Sequence, residues 1–202
     1  MSEVYASIKY TIESTLSDEE RWLTKINGVI TANEDDVNYV EVGRVVYYHV
    51  DIESAMKEDG ISPHDLLDTC RSTYSFHYDL YDVETLSFKE SFLEIIGYGG
   101  WSRNILIIDR IEILPEYRGE GLAKEAINEA IRLFSSRADV AVLMADPLQF
   151  EPNRDSPEWD KKMRLGELEQ EREKANKALV SFYEGLGFSM ICKKRIMART
   201  TE

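Results

Sequence analysis

The chain has 202 residues and a formal net charge of −14, with 43% hydrophobic and 31% charged residues. That is enough chain for one domain with a sizeable core, and the composition is of the globular rather than the disordered class. The acidic balance argues against nucleic acid as a direct partner, because phosphate binding asks for a basic face.

Cys70 and Cys192 are the two cysteines, and His49, His64 and His77 the three histidines. None stands at metal-ligand spacing, so no metal site is expected. So few cysteines suit a reducing compartment. The opening "MSEVYASIKY" lacks the basic-then-apolar design of a secretory signal, and no apolar run approaches a membrane span. The expectation is a cytoplasmic protein with no membrane partner.

"YASIKYTI" alternates apolar residues at Ala6, Ile8, Tyr10 and Ile12 and reads as a strand. Val37 to Ile52, rich in Val and Tyr, reads as a second strand. Ser62 as N-cap, Pro63 at the first helical position and Asp65 in the first turn start a helix. "SFKESFLEIIGY" reads as a strand ending at the Gly97, Gly99, Gly100 cluster. "NILIIDRIEIL", Asn104 to Leu114, is a nearly continuous β-branched run that suits a central strand buried on both faces. Beyond the glycines that follow, Ala123, Ala126, Ile127, Ala130, Ile131 and Phe134 lie on one helical stripe. Ala138 to Ala145 is another buried strand. The polar stretch Asp146 to Gly166 precedes a helix through Ala175, Ala178, Leu179, Phe182 and Leu186, ended by Gly187. "FSMICKKRIMA" closes the chain as a strand. The alternation of strands and helices argues a mixed α/β fold in a single domain spanning 1–202.

Between the central strand and its helix stands "RGEGLA". A helix N-terminus leaves unpaired N–H groups and the positive end of the macrodipole. Glycines there let a phosphate approach the backbone closely. The stretch therefore reads either as a pyrophosphate cradle or as a glycine-rich turn with no ligand. It is neither a Walker loop nor the dinucleotide fingerprint, since the spacing fits neither.

Arg118-x-x-Gly121-x-Ala123 resembles the signature of the GNAT superfamily of acyl-CoA-dependent N-acyltransferases. "NKALVSFYEGLGF", Asn176 to Phe188, is similar to that family's later motif of Asn, Ala, Tyr and a terminal Gly-Phe. The resemblance covers roughly 104–197, the acetyl-CoA-binding half. It leaves 1–100 as the variable, acceptor-side half, matched only in coarse strand and helix content. The fold it implies is a central mixed sheet flanked by helices.

The resemblance also implies roles. Acetyl-CoA is the acyl donor, its pyrophosphate resting on the main-chain amides of Arg118, Gly119, Glu120, Gly121, Leu122 and Ala123, with Lys124 beside them as a phosphate contact. Glu120 should point outward, since a carboxylate facing phosphates is repelled. The pantetheine arm pairs with the main chain of Ile111, Glu112 and Ile113, where an N–H faces the thioester oxygen. "RIEIL" reads equally as an ordinary core strand. Tyr183 matches the tyrosine that protonates the departing thiolate, and also reads as a core tyrosine beside Phe182. Asn176 matches the asparagine near the pantetheine, or supplies helix N-terminal polarity.

An alkyl amine is mostly protonated at neutral pH, so a base must take its proton. The family's usual carboxylate position lines up with Ile107, which cannot do this. Asp109, two residues on and on the same face of a regular strand, is the candidate, with a salt bridge to an arginine as the other reading. Cys192 is read as core packing. The function expected is direct acetyl transfer to a primary amine of a small molecule or protein. The alternative is a non-catalytic acyl-CoA-binding or partner-binding protein. A homodimer is allowed. Tyr47, Tyr48, His49, Tyr74, Tyr78 and Tyr81 are candidates to line the acceptor pocket. Asp146 to Gly166 is expected to fold over it with Glu151 or Asp155 facing a cationic amine, or else to be a solvated connection that turns helical near Ser156 and Pro157.

Overall fold

The computed structural model describes residues 5–16, 19–33, 38–97, 102–152 and 156–201. Its strands are β1 (Ala6–Glu13), β2 (Leu23–Asn33), β3 (Tyr39–Val50), β4 (Ile105–Ile113), β5 (Val140–Met144), β6 (Ser189–Met190) and β7 (Ile196–Thr200). They form one seven-stranded mixed sheet in the order β1-β2-β3-β4-β5-β7-β6. Among the described residues only β4 and β5 pair in parallel, joined by a helical crossover as such a pair requires. The α-helices are α1 (Ile52–Ser54), α2 (Pro63–Asp68), α3 (His77–Leu80), α4 (Glu90–Ile96), α5 (Leu122–Phe134), α6 (Pro157–Met163) and α7 (Arg172–Glu184). The fold is mixed α/β, as the strand and helix patterns imply. Among the described residues no helix is long and apolar enough to cross a membrane.

The sheet has a core on each face. On one, α5 buries Leu122, Ala126, Ile127, Ala130 and Ile131 against Ile26, Val45, Tyr47, Leu106 and Ile108, and α7 adds Leu179, Val180 and Tyr183. On the other, Tyr48, Val50, Ile105, Ile107 and Val142 meet Leu66, Leu67, Leu80 and Phe92 from the short helices of the first half. Two-sided burial explains the near-continuous apolar run of β4.

The structure adds one strand and corrects four expectations. β2 has no counterpart in the sequence reading, because Asn27 and Gly28 interrupt its alternation. Gly28 is there because a Cβ would sit 2.5 Å from Val45 Cγ2 in the neighbouring strand. The stretch "SFKESFLEIIGY" is helix, not strand. Phe92, Leu93 and Ile96 have helical spacing, and Gly97 closes α4 in the left-handed conformation at φ 66°. Gly99 and Gly100 lie outside the described residues. The closing strand is two strands, β6 and β7, with Ser189 opposite Ala198 and Met190 opposite Met197. Arg195, at positive φ, sits in the turn between them. On α7 the inward face is Ala175, Leu179, Val180 and Tyr183, whereas Ala178 and Phe182 are exposed. The ends of β3 also differ, with Asp51 and Ile52 forming the cap and first residue of α1. The helix start at Ser62 is as expected: its hydroxyl accepts from the Asp65 amide.

Candidate functional site

The site begins where two strands part. β4 runs beside β5 only from Ile105 to Ile108, opposite Val140 to Leu143. β4 then continues to Ile113, still paired with β3, while β5 ends at Met144. Asp109 stands at the parting and is also the extra residue of a β-bulge. Val46 pairs with Arg110 and Tyr47 with Ile108, so nothing opposes Asp109. A bulge reverses the alternation of faces. Leu106 and Ile108 enter the α5-side core before it, and Ile111 and Ile113 after it. Consequently Asp109, Arg110 and Glu112 all line one cavity of about 650 Å³ on the opposite side.

Past the bulge, the main chain follows the antiparallel ladder. The Leu114 amide donates to Val42 O at 2.8 Å. By alternation, the main-chain groups of Glu112 and Arg110 also turn toward β3. Those of Ile111 and Ile113 turn the other way, into the gap that β5 has left. Arg118 confirms the direction for one of them, donating from Nε to Ile113 O at 3.0 Å.

Gly119 and Gly121 both have φ of 84°, and an added Cβ at either would meet nothing within 4 Å. They carry the chain through left-handed turns that an L side chain rarely adopts. Gly121 is the N-cap of α5 and has no side chain to cap it, so the amides of Leu122, Ala123 and Lys124 project from the helix end. Glu120 is exposed and points away from the core. The Arg118 side chain, by contrast, turns inward. Besides Ile113 O it donates to Met163 O at 2.5 Å, tying the signature loop to α6.

Asn176 and Tyr183 stand two helical turns apart on α7 and so share a face. The amide oxygen of Asn176 is buried without a hydrogen-bond partner among the described residues. Such an atom is costly unless something else supplies a donor. Tyr183 packs edge-on to Phe188, and burial pushes its phenol up to about 12.

On the cavity side of the sheet, opposite the core in which Tyr183 packs, burial raises the Asp109 carboxyl above its ordinary pKa, partly offset by a hydrogen bond with Ser72. Tyr48, which also bonds Ser72, is pushed up to about 12, chiefly by burial. The arginine salt bridge considered for Asp109 is formed instead by its neighbour. Arg110 reaches Glu112 at 3.4 Å and Glu151 at 2.5 Å.

The described parts of the polar stretch, 146–152 and 156–166, hold short helical segments on this side. Leu148–Phe150 makes a 3-10 turn, and α6 starts at Pro157 as expected. Trp159 and Met163 are buried. The Trp159 indole donates to Glu112 Oε2 at 2.7 Å, and the Arg44 guanidinium lies 4.0 Å from its ring centroid. Glu151 lines the cavity but is engaged with Arg110, so it is not the open acceptor of a cationic amine that was expected. Asp155 lies outside the described residues.

Of the six aromatic candidates only Tyr48 lines the cavity. Tyr47 is core, bonded to Ala126 O, and His49 bonds Arg137 O. Tyr81 is fully buried and bonded to Arg103 O, while the rings of Tyr74 and Tyr78 pack at a tilt against His77. Sequence reading missed Ser72, Arg71, Lys25 and Arg44, all of which line the cavity. Lys25 and Arg44 are on the strands β2 and β3, and Arg71 and Ser72 follow α2 in a stretch with no period to mark them. No family model, no curated protein and no solved structure matches the chain.

Proposed function

We propose that the chain is a GNAT-like N-acetyltransferase that passes an acetyl group from acetyl-CoA directly to a primary amine. The observation that carries the reading is the parting of β4 from β5 at the Asp109 bulge, on a strand that leads straight into a glycine-opened helix N-terminus. When bound, acetyl-CoA supplies an activated acyl carbon and a thiolate leaving group.

The chain's own residues have complementary properties. The amides from Arg118 to Lys124 offer donors and the positive helix end to a pyrophosphate. The outward-facing amides of Ile111 and Ile113 offer donors to a carbonyl oxygen that gains negative charge as nitrogen attacks. Asn176 has an unmet acceptor suited to an amide N–H of the pantetheine arm. Asp109 can take a proton from the amine, and its raised pKa brings it nearer to the operating pH, where a base is most effective. Tyr183 is protonated at neutral pH and has a proton to give the thiolate. The balance is complete for an ammonium substrate: a C–N bond forms, the C–S bond breaks, and nitrogen loses two protons, one passing through Asp109 to solvent and the other matching the proton that Tyr183 gives to sulfur. No covalent intermediate on a cysteine is needed.

Titration calorimetry with acetyl-CoA tests this, with an expected Kd on the order of micromolar. Gly121→Asp should weaken binding at least about tenfold, because a carboxylate at the helix end repels phosphates. Gly121→Asn, which carries the same backbone strain without the charge, should bind markedly better than Gly121→Asp. Equal affinities in the two variants and the parent, all folded by circular dichroism, would remove the phosphate-cradle assignment. Free-thiol release over an amine panel then separates turnover from binding alone. Tight acetyl-CoA binding with no thiol release from any amine would favour the acyl-CoA-binding alternative.

A further inference from the structure

We propose that the acceptor amine also carries an anionic group, a carboxylate or a phosphate, which Arg71 and Lys25 hold at the rim of the cavity. The proposal rests on the N-acetyltransferase reading and names the substrate class of that site.

It follows from an accounting of charge around the cavity. The acidic lining residues are nearly all engaged already. Glu112 holds Arg110 and the Trp159 indole, and Glu151 holds Arg110. Asp146 lies 2.7 Å from Arg195 and 3.5 Å from Arg172. Asp160 also has a partner. Asp109 is the exception, bonded to the neutral Ser72. The basic lining residues divide: Arg110 is held by Glu112 and Glu151. Arg44 is held by Glu41 at 2.6 Å, but Arg71 forms no ion pair with any described residue. Lys25 has only a loose pair with Glu13, at 4.0 Å, and Glu13 also accepts from Asn27.

Among the described lining residues, a partner for a positively charged amine is therefore present at one point, Asp109, at the β4 bulge. The remaining open valences of the cavity are cationic. Arg71 and Lys25 line both this cavity and an adjoining hollow of about 420 Å³ on the far side of Tyr48. Glu13 and Glu20 line that hollow, so its acidic groups face the two cations from β1 and the Glu19–Trp22 turn. Neither comes within ion-pair distance of Arg71. A simple alkylamine would leave Arg71 without an ion-pair partner among the described residues and Lys25 with its loose pair to Glu13 alone. An amine with an anionic group at its other end satisfies both poles, and the guanidinium fork of Arg71 matches a carboxylate or phosphate in two parallel hydrogen bonds.

The test is acetyl-CoA-dependent thiol release with common amino acids, each beside its carboxamide and its decarboxylated amine. Phosphoserine and phosphoethanolamine form the phosphate arm. The acid forms should exceed their amides in kcat/KM by about tenfold or more, the effect of one partly exposed charge-assisted hydrogen bond. Which arm is preferred distinguishes carboxylate from phosphate. Arg71→Ala should raise KM for the anionic amines and bring them down to the level of their amides. Arg71→Lys should recover part of the loss. Amides or decarboxylated amines that match the acids throughout, or an Arg71→Ala enzyme with unchanged KM for anionic amines, overturn the proposal. If acetyl-CoA binds but no member turns over, the same acids are titrated onto the acetyl-CoA-saturated protein. Absence of binding heat, or equal heat in Arg71→Ala, then overturns it. Failure of the acetyltransferase reading is separate, since acetyl-CoA binding is measured with no amine present.

Discussion

The carboxyl of Asp109 lies beside Ser72 and Tyr48, and burial holds its pKa above the ordinary value. That shift has a consequence for stability as well as for proton transfer. A carboxylate whose folded pKa is raised binds its proton more tightly in the native chain than in the unfolded one. Between the ordinary value, about 3.9, and the folded value, native stability therefore falls as pH rises, and above that window the whole penalty is present. Asp109→Asn removes the penalty and keeps an acceptor for Ser72. The variant should melt at a higher temperature than the parent at pH 8, with the difference narrowing as pH is lowered toward 4. Its turnover on a good acceptor should fall about 10²–10⁴-fold, as for loss of a general base. Thermal melts across pH and steady-state kinetics read the two effects. A variant that is less stable at pH 8, or as active as the parent, would mean that Asp109 is a structural group and not the base.

Helix α6 docks on the sheet through Trp159 and Met163, both buried. Trp159 carries the apolar contact, the hydrogen bond to Glu112 and the face on which Arg44 rests, and Arg118 grips the last carbonyl of the helix. A helix of seven residues has little stability of its own, so its docking is tertiary. Trp159→Ala should cost about 3–5 kcal/mol at that contact and leave the buried Glu112 carboxylate short of a donor. Most of this cost should be local. Hydrogen exchange at 157–163 should speed at least about tenfold, while the amides of Leu106 and Ile107 in the centre of the sheet keep their protection. The amine KM should rise, because Trp159 and Glu151 line the cavity proposed to take the acceptor. Unchanged exchange at 157–163 would show that Arg118 and the flanking turns suffice to dock the helix. This element also marks the limit of what could be read in the sequence. Pro157 gave its start correctly, but whether Trp159 faces solvent or Glu112 depends on a strand some fifty residues earlier, and no local pattern encodes that contact. The same holds for "SFKESFLEIIGY", whose apolar residues suit a strand until Phe92, Leu93 and Ile96 are counted at helical spacing.

The parts of the molecule that were legible are those where one local pattern meets one environment. The β4 run, the α5 stripe and the glycine turn between them have the expected positions because two-sided burial, one-sided burial and left-handed φ each leave a distinct trace in residue type. The bulge at Asp109 left none, since its signal is a change of register against β3 and not a feature of β4 alone. The cavity was illegible for a similar reason. Its lining is drawn from β2, β3, β4, the turn after α2 and the segment around α6, so charges distant in sequence become neighbours. This mixing makes the two halves of the chain dependent on each other. β4 pairs with β3 along nearly its whole length, and Ile105, Leu106 and Ile107 are fully buried by residues from both halves. A fragment of residues 102–202 would keep the signature loop and α7 but would expose the β3-facing edge of β4, a long apolar strand with unpaired N–H and C=O groups. It would also lose Ile26, Val45 and Tyr47 from one core and Leu66, Leu67 and Phe92 from the other. The expectation is that the full chain unfolds in urea in one transition, with circular dichroism and fluorescence coincident, and that the fragment shows no cooperative transition and self-associates. A monomeric fragment with a sigmoidal unfolding curve and acetyl-CoA binding would make the second half an autonomous unit, and the first half an addition to it.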